Sequence, residues 1–345
     1  MEALIPIQYD ENENRIIVID QRALPEKLEY LSLHTLEEVY WAIKALVVRG
    51  APLIGVTAGY GLAMYALNLR TEDVKSFQKE IQRAKCYLKN ARPTAVNLEN
   101  AVDYLVNGIL EVDNVSEAQH CLLQRAKHLQ KQDESISEHI GMIGSELLPE
   151  HAVVMTYCNA GALATSNCYG TALAPVYKAA ERGKEVAVVA CETRPILQGA
   201  RLTTFELTYN NIPTTLITDN MVGWYMATHH VDAIFVGCDR VAVNGDFANK
   251  IGTYSLSLLA KEHNIPFYVC TPSTTIDFSA ETFSDITIEH RSPNEIRTMW
   301  YQRPMVAEKA EILNPAFDCT PVTNVTGFIT ESGLLKPPFK KEMFE

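Results

Sequence analysis

Residues 234–254 hold the densest grouping of chemically capable side chains in the chain. The stretch opens as a short apolar run, 234–236, and then breaks on an acid, Asp239. A turn sequence follows at Asn244-Gly245-Asp246, and Asn249 and Lys250 come next, at the expected entrance of a helix. Side chains just past the carboxyl end of a buried strand are where α/β proteins meet their ligands. A carboxylate there, beside an amide and an ammonium, suits a polar phosphorylated molecule. The same stretch also reads as strand, turn and N-cap with solvated charges. Asp239 is a candidate general acid or base: its apolar approach and Cys238 predict partial desolvation, which would favour the protonated form. Cys158 is the second candidate. It ends another apolar run and precedes Asn159-Ala-Gly-Ala-Leu-Ala-Thr165, whose small residues permit a close turn into a helix. A thiol at a helix N-terminus can serve as base or nucleophile; a cysteine that only packs is the alternative.

One device occurs three times: Arg49-Gly-Ala-Pro52, Arg92-Pro93 and Arg194-Pro195 each put an arginine just before a proline that can occupy a first helical turn. Free N–H groups and a guanidinium then face the same way, which suits a phosphate. Gly50 would let the backbone approach a ligand closely. Asp219-Asn220 reads as a simple N-cap. Glu192 could pair with Arg194; Cys168, Cys270 and Cys319 are expected to pack, and His229-His230 to complement a helix end.

These residues need a scaffold. Two β-type runs, 4–9 and 15–20, around a polar turn predict a hairpin. Thr35 and Glu38 form a capping box before a helix. Thr71 is expected to cap a helix to about Lys89, and 94–110 and 116–148 read as two more. After 148 the pattern changes. Apolar runs at 152–157, 186–190, 214–218, 233–236 and 267–269 alternate with helical stretches, which predicts a mostly parallel sheet with crossover helices. The expected architecture is α/β: a mainly helical N-terminal domain with a short sheet (1–148) and a Rossmann-like catalytic domain (149–345). Polar or reactive residues follow each strand, at Cys158, Glu192, Asp219, Asp239 and Thr271, where such a fold puts its crevice.

Composition narrows the partners. The chain has 345 residues, 47% of them hydrophobic, and a net charge of −12. That charge argues against a nucleic-acid or anionic-membrane surface as the main partner. The eight cysteines form no Cys-x-x-Cys pair, so neither zinc nor a disulfide framework is expected, and a reducing cytoplasm fits best. The uncharged run 50–69 has the length of a membrane span, but its glycines and small residues read as a tightly packed helix. The fingerprints for dinucleotides, P-loops and hydrolase nucleophile elbows are absent.

Taken together, Val48-Arg-Gly-Ala-Pro-Leu-Ile-Gly55, Arg92-Pro-Thr-Ala-Val-Asn-Leu98, Cys158-Asn-Ala-Gly-Ala-Leu-Ala-Thr165, Glu192-Thr-Arg-Pro-Ile-Leu-Gln-Gly-Ala-Arg-Leu202, Gly237-Cys-Asp-Arg240, Ala248-Asn-Lys-Ile-Gly-Thr-Tyr254 and Asn314-Pro-Ala-Phe-Asp318 resemble the methylthioribose-1-phosphate isomerase family. That family shares a superfamily with regulatory subunits of a translation-initiation exchange factor and archaeal ribose-1,5-bisphosphate isomerases. The resemblance implies a cytoplasmic homodimer that isomerises a sugar phosphate, with no metal or organic cofactor. It implies that Cys158 and Asp239 are catalytic and that Arg49, Gly50, Ala51, Arg92, Gln198, Asn249 and Lys250 hold the substrate. The pattern departs at Leu53, Cys238 and Asn167-Cys168. The implied substrate is 5-methylthioribose 1-phosphate, in methionine salvage. The alternatives are 5-deoxyribose 1-phosphate and a non-catalytic regulatory subunit.

Overall fold

The computed structural model describes residues 4–92, 95–109, 111–339 and 341–343. It contains two compact units: Ala3–Ser137 with Gly161–Gly170, and Glu138–Ala160 with Thr171–Glu345. The chain thus changes unit within a helix, at 137/138, rather than at 148. The ten residues 161–170 return to the N-terminal unit, a long-range packing outcome that local sequence does not signal.

In the N-terminal unit, β1 (Ile7–Asp10) and β2 (Arg15–Ile19) form the expected hairpin, with Asp10 opposite Arg15. An unexpected strand, β3 (Tyr30–Leu33), adds antiparallel to β2. Five helices follow: α1 (Leu36–Lys44), α2 (Ala51–Asn68), α3 (Val74–Lys89), α4 (Val96–Asn107) and α5 (Val115–Glu146). The Thr35/Glu38 capping box is present. Thr71 does not cap α3; Asp73 does, accepting from the Ser76 N–H at 2.9 Å. A carboxylate at that position also complements the helix dipole. The ends of the 94–110 reading, Thr94 and Leu110, lie outside the described residues. Residues along every face of α2 are buried, from Leu53 to Ala66, so the uncharged run is a central core helix. Among the described residues no helix is long and apolar enough to cross a membrane.

The C-terminal unit is built on β4 (His151–Tyr157), α6 (Ala174–Glu181), β5 (Glu185–Cys191), α7 (Thr204–Tyr209), β6 (Thr214–Ile217), α8 (Val222–Thr228) and β7 (Ala233–Val236). Then come β8 (Arg240–Ala242), β9 (Phe247–Lys250), α9 (Thr253–Glu262), β10 (Phe267–Cys270), β11 (Ile276–Asp277), α10 (Asn294–Arg297), β12 (Phe317–Thr320), β13 (Gly327–Thr330) and β14 (Gly333–Leu335). Seven strands make one sheet in the order β14-β13-β10-β7-β4-β5-β6. All its neighbours are parallel except β13 and β14. All four residues of β7 are buried, as a strand covered on both faces requires. From β4 the chain winds outward through β5 and β6, then crosses back to β7 on the other side of β4. The switch point therefore lies between β4 and β7, where this architecture opens its crevice. A second sheet, β11-β8-β9-β12, was not anticipated. Its strands are two to four residues long and carry no clear apolar alternation.

Candidate active site

Tyr157 of β4 and Val236 of β7 are partners in the parallel ladder. The next residue after Tyr157 is Cys158, and three residues beyond Val236 stands Asp239. The two candidate catalytic residues thus leave adjacent strands at the same level of the sheet, at its switch point.

Cys158 does not start a helix. A short 3-10 turn, Ala162–Ala164, follows, and α6 begins only at Ala174. Cys158 has φ 64°, a conformation uncommon for a residue with a side chain. Two threonine hydroxyls hold it there. The Cys158 N–H donates to Thr193 Oγ1 at 2.8 Å, and Thr203 Oγ1 donates to the Cys158 carbonyl at 2.7 Å. Thr193 Oγ1 in turn donates to the Cys191 carbonyl at 3.0 Å. Next to it, the buried Asn159 amide donates to Glu206 Oε1 at 3.0 Å and Thr203 Oγ1 at 3.2 Å.

Asp239 is exposed, contrary to the desolvation expected from its apolar neighbours. The apolar strand ends three residues earlier, at Val236, and the chain turns outward into β8. Its N–H donates to the Ala248 carbonyl at 3.0 Å, which ties it to β9. Arg240 turns to Asp277 at 3.2 Å. Cys238 beside it is driven well above the usual thiol range by burial and the neighbouring Asp239 charge, which leaves it a packing thiol.

Asn249 and Lys250 close β9 rather than opening the helix, and α9 starts at Thr253. Both are buried. The Asn249 amide donates to Thr253 Oγ1 at 3.0 Å, while Lys250 Nζ donates to the Ala316 carbonyl at 3.0 Å and lies 4.2 Å from the Phe317 ring centroid. Opposite Asn249 on β12 is Asp318, whose role was not foreseen. It accepts N–H bonds from Gly252 (2.7 Å) and Tyr254 (3.1 Å), the first turn of α9. Burial lifts its carboxyl to about 6, against those bonds and the Lys250 charge.

Gln198 lies in the strained turn after β5. Thr193 and Leu197 have φ 65° and 61°. Pro195 lies in a turn and does not open a helix; Gly199–Thr203 forms a π-helical turn leading to α7. Asp219 is not an N-cap. Its carboxylate accepts the Thr193 and Arg194 N–H groups at 2.8 and 2.7 Å, which secures this turn. Gly199 presses on the end of β5: a Cβ there would sit 1.7 Å from the Cys191 carbonyl oxygen, so only glycine fits. Gln198 is buried and its Oε1 has no hydrogen-bond partner. A buried, unpaired amide oxygen is costly unless a ligand serves it. The Arg194 guanidinium donates to the Pro195 carbonyl and lies 5.7 Å from the Tyr301 ring centroid, and its charge partly offsets the upward push of burial on the Glu192 carboxyl.

In the N-terminal unit, Gly50 is the N-cap of α2 at φ 96°, with Ala51 first in the helix and proline in its first turn, as expected. A Cβ on Gly50 would lie 2.3 Å from the Ala164 carbonyl oxygen. Arg49 Nε donates to Gln21 Oε1 at 3.1 Å, and Gln21 Nε2 donates to the Leu163 carbonyl at 2.7 Å. Arg92 is half-buried just after α3, and Pro93 lies outside the described residues. The helix start at Ala51 and the arginine before it thus pack around 163–164, within the same unit.

Residues 47–337 match the model of the initiation factor 2 subunit family. A methylthioribose-1-phosphate isomerase from Caldicellulosiruptor saccharolyticus is 46% identical over 97% of each chain. A 5-deoxyribose 1-phosphate isomerase from Moorella thermoacetica is 45% identical over 99% of this chain and 97% of its own. Among solved structures, the 5-methylthioribose 1-phosphate isomerase of Pyrococcus horikoshii is similar at 39% identity and TM-score 0.93, covering 99% and 95% of the two chains. A structure from A. fulgidus described as translation initiation factor eIF-2B subunit delta is similar at 43% identity and TM-score 0.88, covering 97% of each.

Proposed function

The chain belongs to the initiation factor 2 subunit family and, within it, to the methylthioribose-1-phosphate isomerases, and from that premise we propose that it converts 5-methylthioribose 1-phosphate into 5-methylthioribulose 1-phosphate. It is an aldose–ketose isomerase, and the finer reading is a cytoplasmic homodimer serving methionine salvage. The observation that carries the reaction is the placement of Cys158 and Asp239 after neighbouring strands at the switch point.

The substrate's chemistry explains why an acid and a thiol are needed. A sugar phosphorylated at C1 is locked as a cyclic acetal and cannot open spontaneously to an aldehyde. Protonated Asp239 gives its proton to the ring oxygen as the C1–O bond breaks. Asp239 is exposed, so the sugar ring must itself exclude water from the carboxyl and favour its neutral form. The C2 hydrogen then moves to C1, and the C2 hydroxyl becomes the ketone as it returns its proton to the Asp239 carboxylate, which restores the acid. In one route Cys158 takes the hydrogen from C2 as a proton and returns it to C1 through an enolate. In the other it passes directly as a hydride in a dry, preorganised pocket. Asn249, Lys250 and Gln198 hold hydroxyls and phosphate, with Arg49, Gly50, Ala51 and Arg92 assigned to the same substrate.

The Moorella relative favours a second reading, 5-deoxyribose 1-phosphate. The two substrates differ only at C5, and an apolar difference of that size is discriminated by about 1–3 kcal/mol per methylene-sized group. Retention of Cys158 and Asp239 argues against a non-catalytic regulatory subunit. Measuring kcat/KM on both sugar phosphates side by side tests the proposal. Turnover of 5-methylthioribose 1-phosphate with at least equal efficiency supports it, a reversed preference selects the second reading, and turnover of neither overturns both.

A further inference from the structure

The turn that presents Gln198 is held from one side by an element with no assigned role. Residues 299–301 follow α10 as a compact turn, with the Met299 N–H bonded to the Asn294 carbonyl at 3.0 Å and the Tyr301 N–H to Thr298 at 2.9 Å. From this turn the Trp300 indole Nε1 donates to the Pro195 carbonyl at 2.6 Å. The Arg201 guanidinium lies 4.8 Å from the Trp300 ring centroid, and Arg194 packs over Tyr301. Three contacts thus bracket Gln198: two three and four residues before it, one three residues after it.

That bracket sits where the backbone needs it. Thr193 and Leu197 occupy positive φ, which a β-branched and a branched side chain adopt only when the surroundings over-determine it. Asp219 fixes the entrance of the turn and the close approach of Gly199 to Cys191 fixes its floor. The stretch between them, 195–198, is tied from above by Trp300. Trp300 remains 38% exposed, so it is not there as core. Gln198 keeps its Oε1 buried and unpaired, an arrangement that only a rigid turn sustains.

We propose that Trp300 is a positioning residue: through Pro195 and Arg201 it holds the 194–201 turn so that the Gln198 amide meets the substrate. This rests on the reading of Gln198 as substrate-binding. A displacement of about 1 Å in a positioning group can cost a large factor in rate, so the indole N–H should be felt in catalysis without contact to the sugar.

The test is a double-mutant cycle on kcat/KM for 5-methylthioribose 1-phosphate, with Trp300→Phe, Gln198→Ala and the double variant. Phenylalanine keeps a ring for Arg201 and removes only the donor to Pro195. Gln198→Ala is expected to lose about tenfold. Trp300→Phe is expected to lose about three- to tenfold alone, on the same one of kcat and KM as Gln198→Ala. In the Gln198→Ala background it should lose less than about twofold, with every variant folded at the assay temperature. Equal losses in both backgrounds would overturn the positioning role while leaving Gln198 as a ligand. A silent Gln198→Ala would overturn both.

Discussion

The hydroxyl of Thr193 accepts the backbone N–H of Cys158 at 2.8 Å and passes its own hydrogen to the carbonyl of Cys191. One fully buried side chain thereby ties the ends of β4 and β5 together and holds Cys158 in its left-handed conformation. Thr193→Val keeps the shape but strands a part-buried N–H, at a cost of about 1 kcal/mol. We expect urea unfolding to show that loss and kcat to fall roughly tenfold as Cys158 loses its register. Thr193→Ser retains the hydroxyl and should behave like the parent. A Val variant with parental kcat would show that Cys158 is held by other means.

Gly50 meets Ala164 too closely for any side chain, and its φ of 96° excludes one independently. Gly50→Ala should destabilise the chain by at least about 1–3 kcal/mol, because both the backbone and its neighbour must yield. If the α2 start binds phosphate, KM should rise more than kcat falls. Parental stability and KM in this variant would refute both the steric and the binding argument.

Stability should depend on pH through Asp318. Burial lifts its carboxyl from the ordinary 3.8 to about 6 in the folded chain. The folded state then holds this proton more tightly than the unfolded state. The contribution is complete below about 4, falls as pH rises toward about 6, and is constant above that. Asp318→Asn removes the titration, so its unfolding midpoint in urea should lose less between pH 4 and 6 than the parent's. Parallel curves would show that Asp318 titrates normally.

What the chain discloses locally, it disclosed well. The apolar runs ending at Tyr157 and Val236 mark β4 and β7, and short-range spacing then suffices to put Cys158 and Asp239 at strand ends. Gly50 and Pro52 likewise mark the start of α2. The residues that depart from local expectation share a cause. Asp219 looks like an N-cap in its own segment, but its partners are 25 and 26 residues away. Asn249 and Lys250 pair with β12, nearly 70 residues on, and no local pattern shows it. The exposure of Asp239 follows from the chain turning into β8, a strand too short to announce itself. Trp300 carries no motif at all; only its bond to Pro195 reveals it.

The division of labour between the two candidate catalytic residues can be separated by isosteric change. Cys158→Ser keeps the size and polarity of the side chain, and the backbone held by Thr193 and Thr203 is unaltered. It should retain substrate affinity within about threefold while kcat falls by at least about 100-fold, the scale of a lost general base. Retained kcat would favour direct hydride transfer, in which the thiol takes no proton.

In the proposed reaction Asp239 opens the sugar ring by giving it a proton. The most direct measurement is single-turnover conversion of 5-methylthioribose 1-phosphate by Asp239→Asn, with substrate binding measured calorimetrically on the same preparation. Asparagine keeps the size and hydrogen-bonding capacity but cannot donate a carboxyl proton. Binding within about threefold of the parent and a rate reduced by at least about 1,000-fold are expected. Near-parental turnover would contradict this role and remove Asp239 from the chemistry.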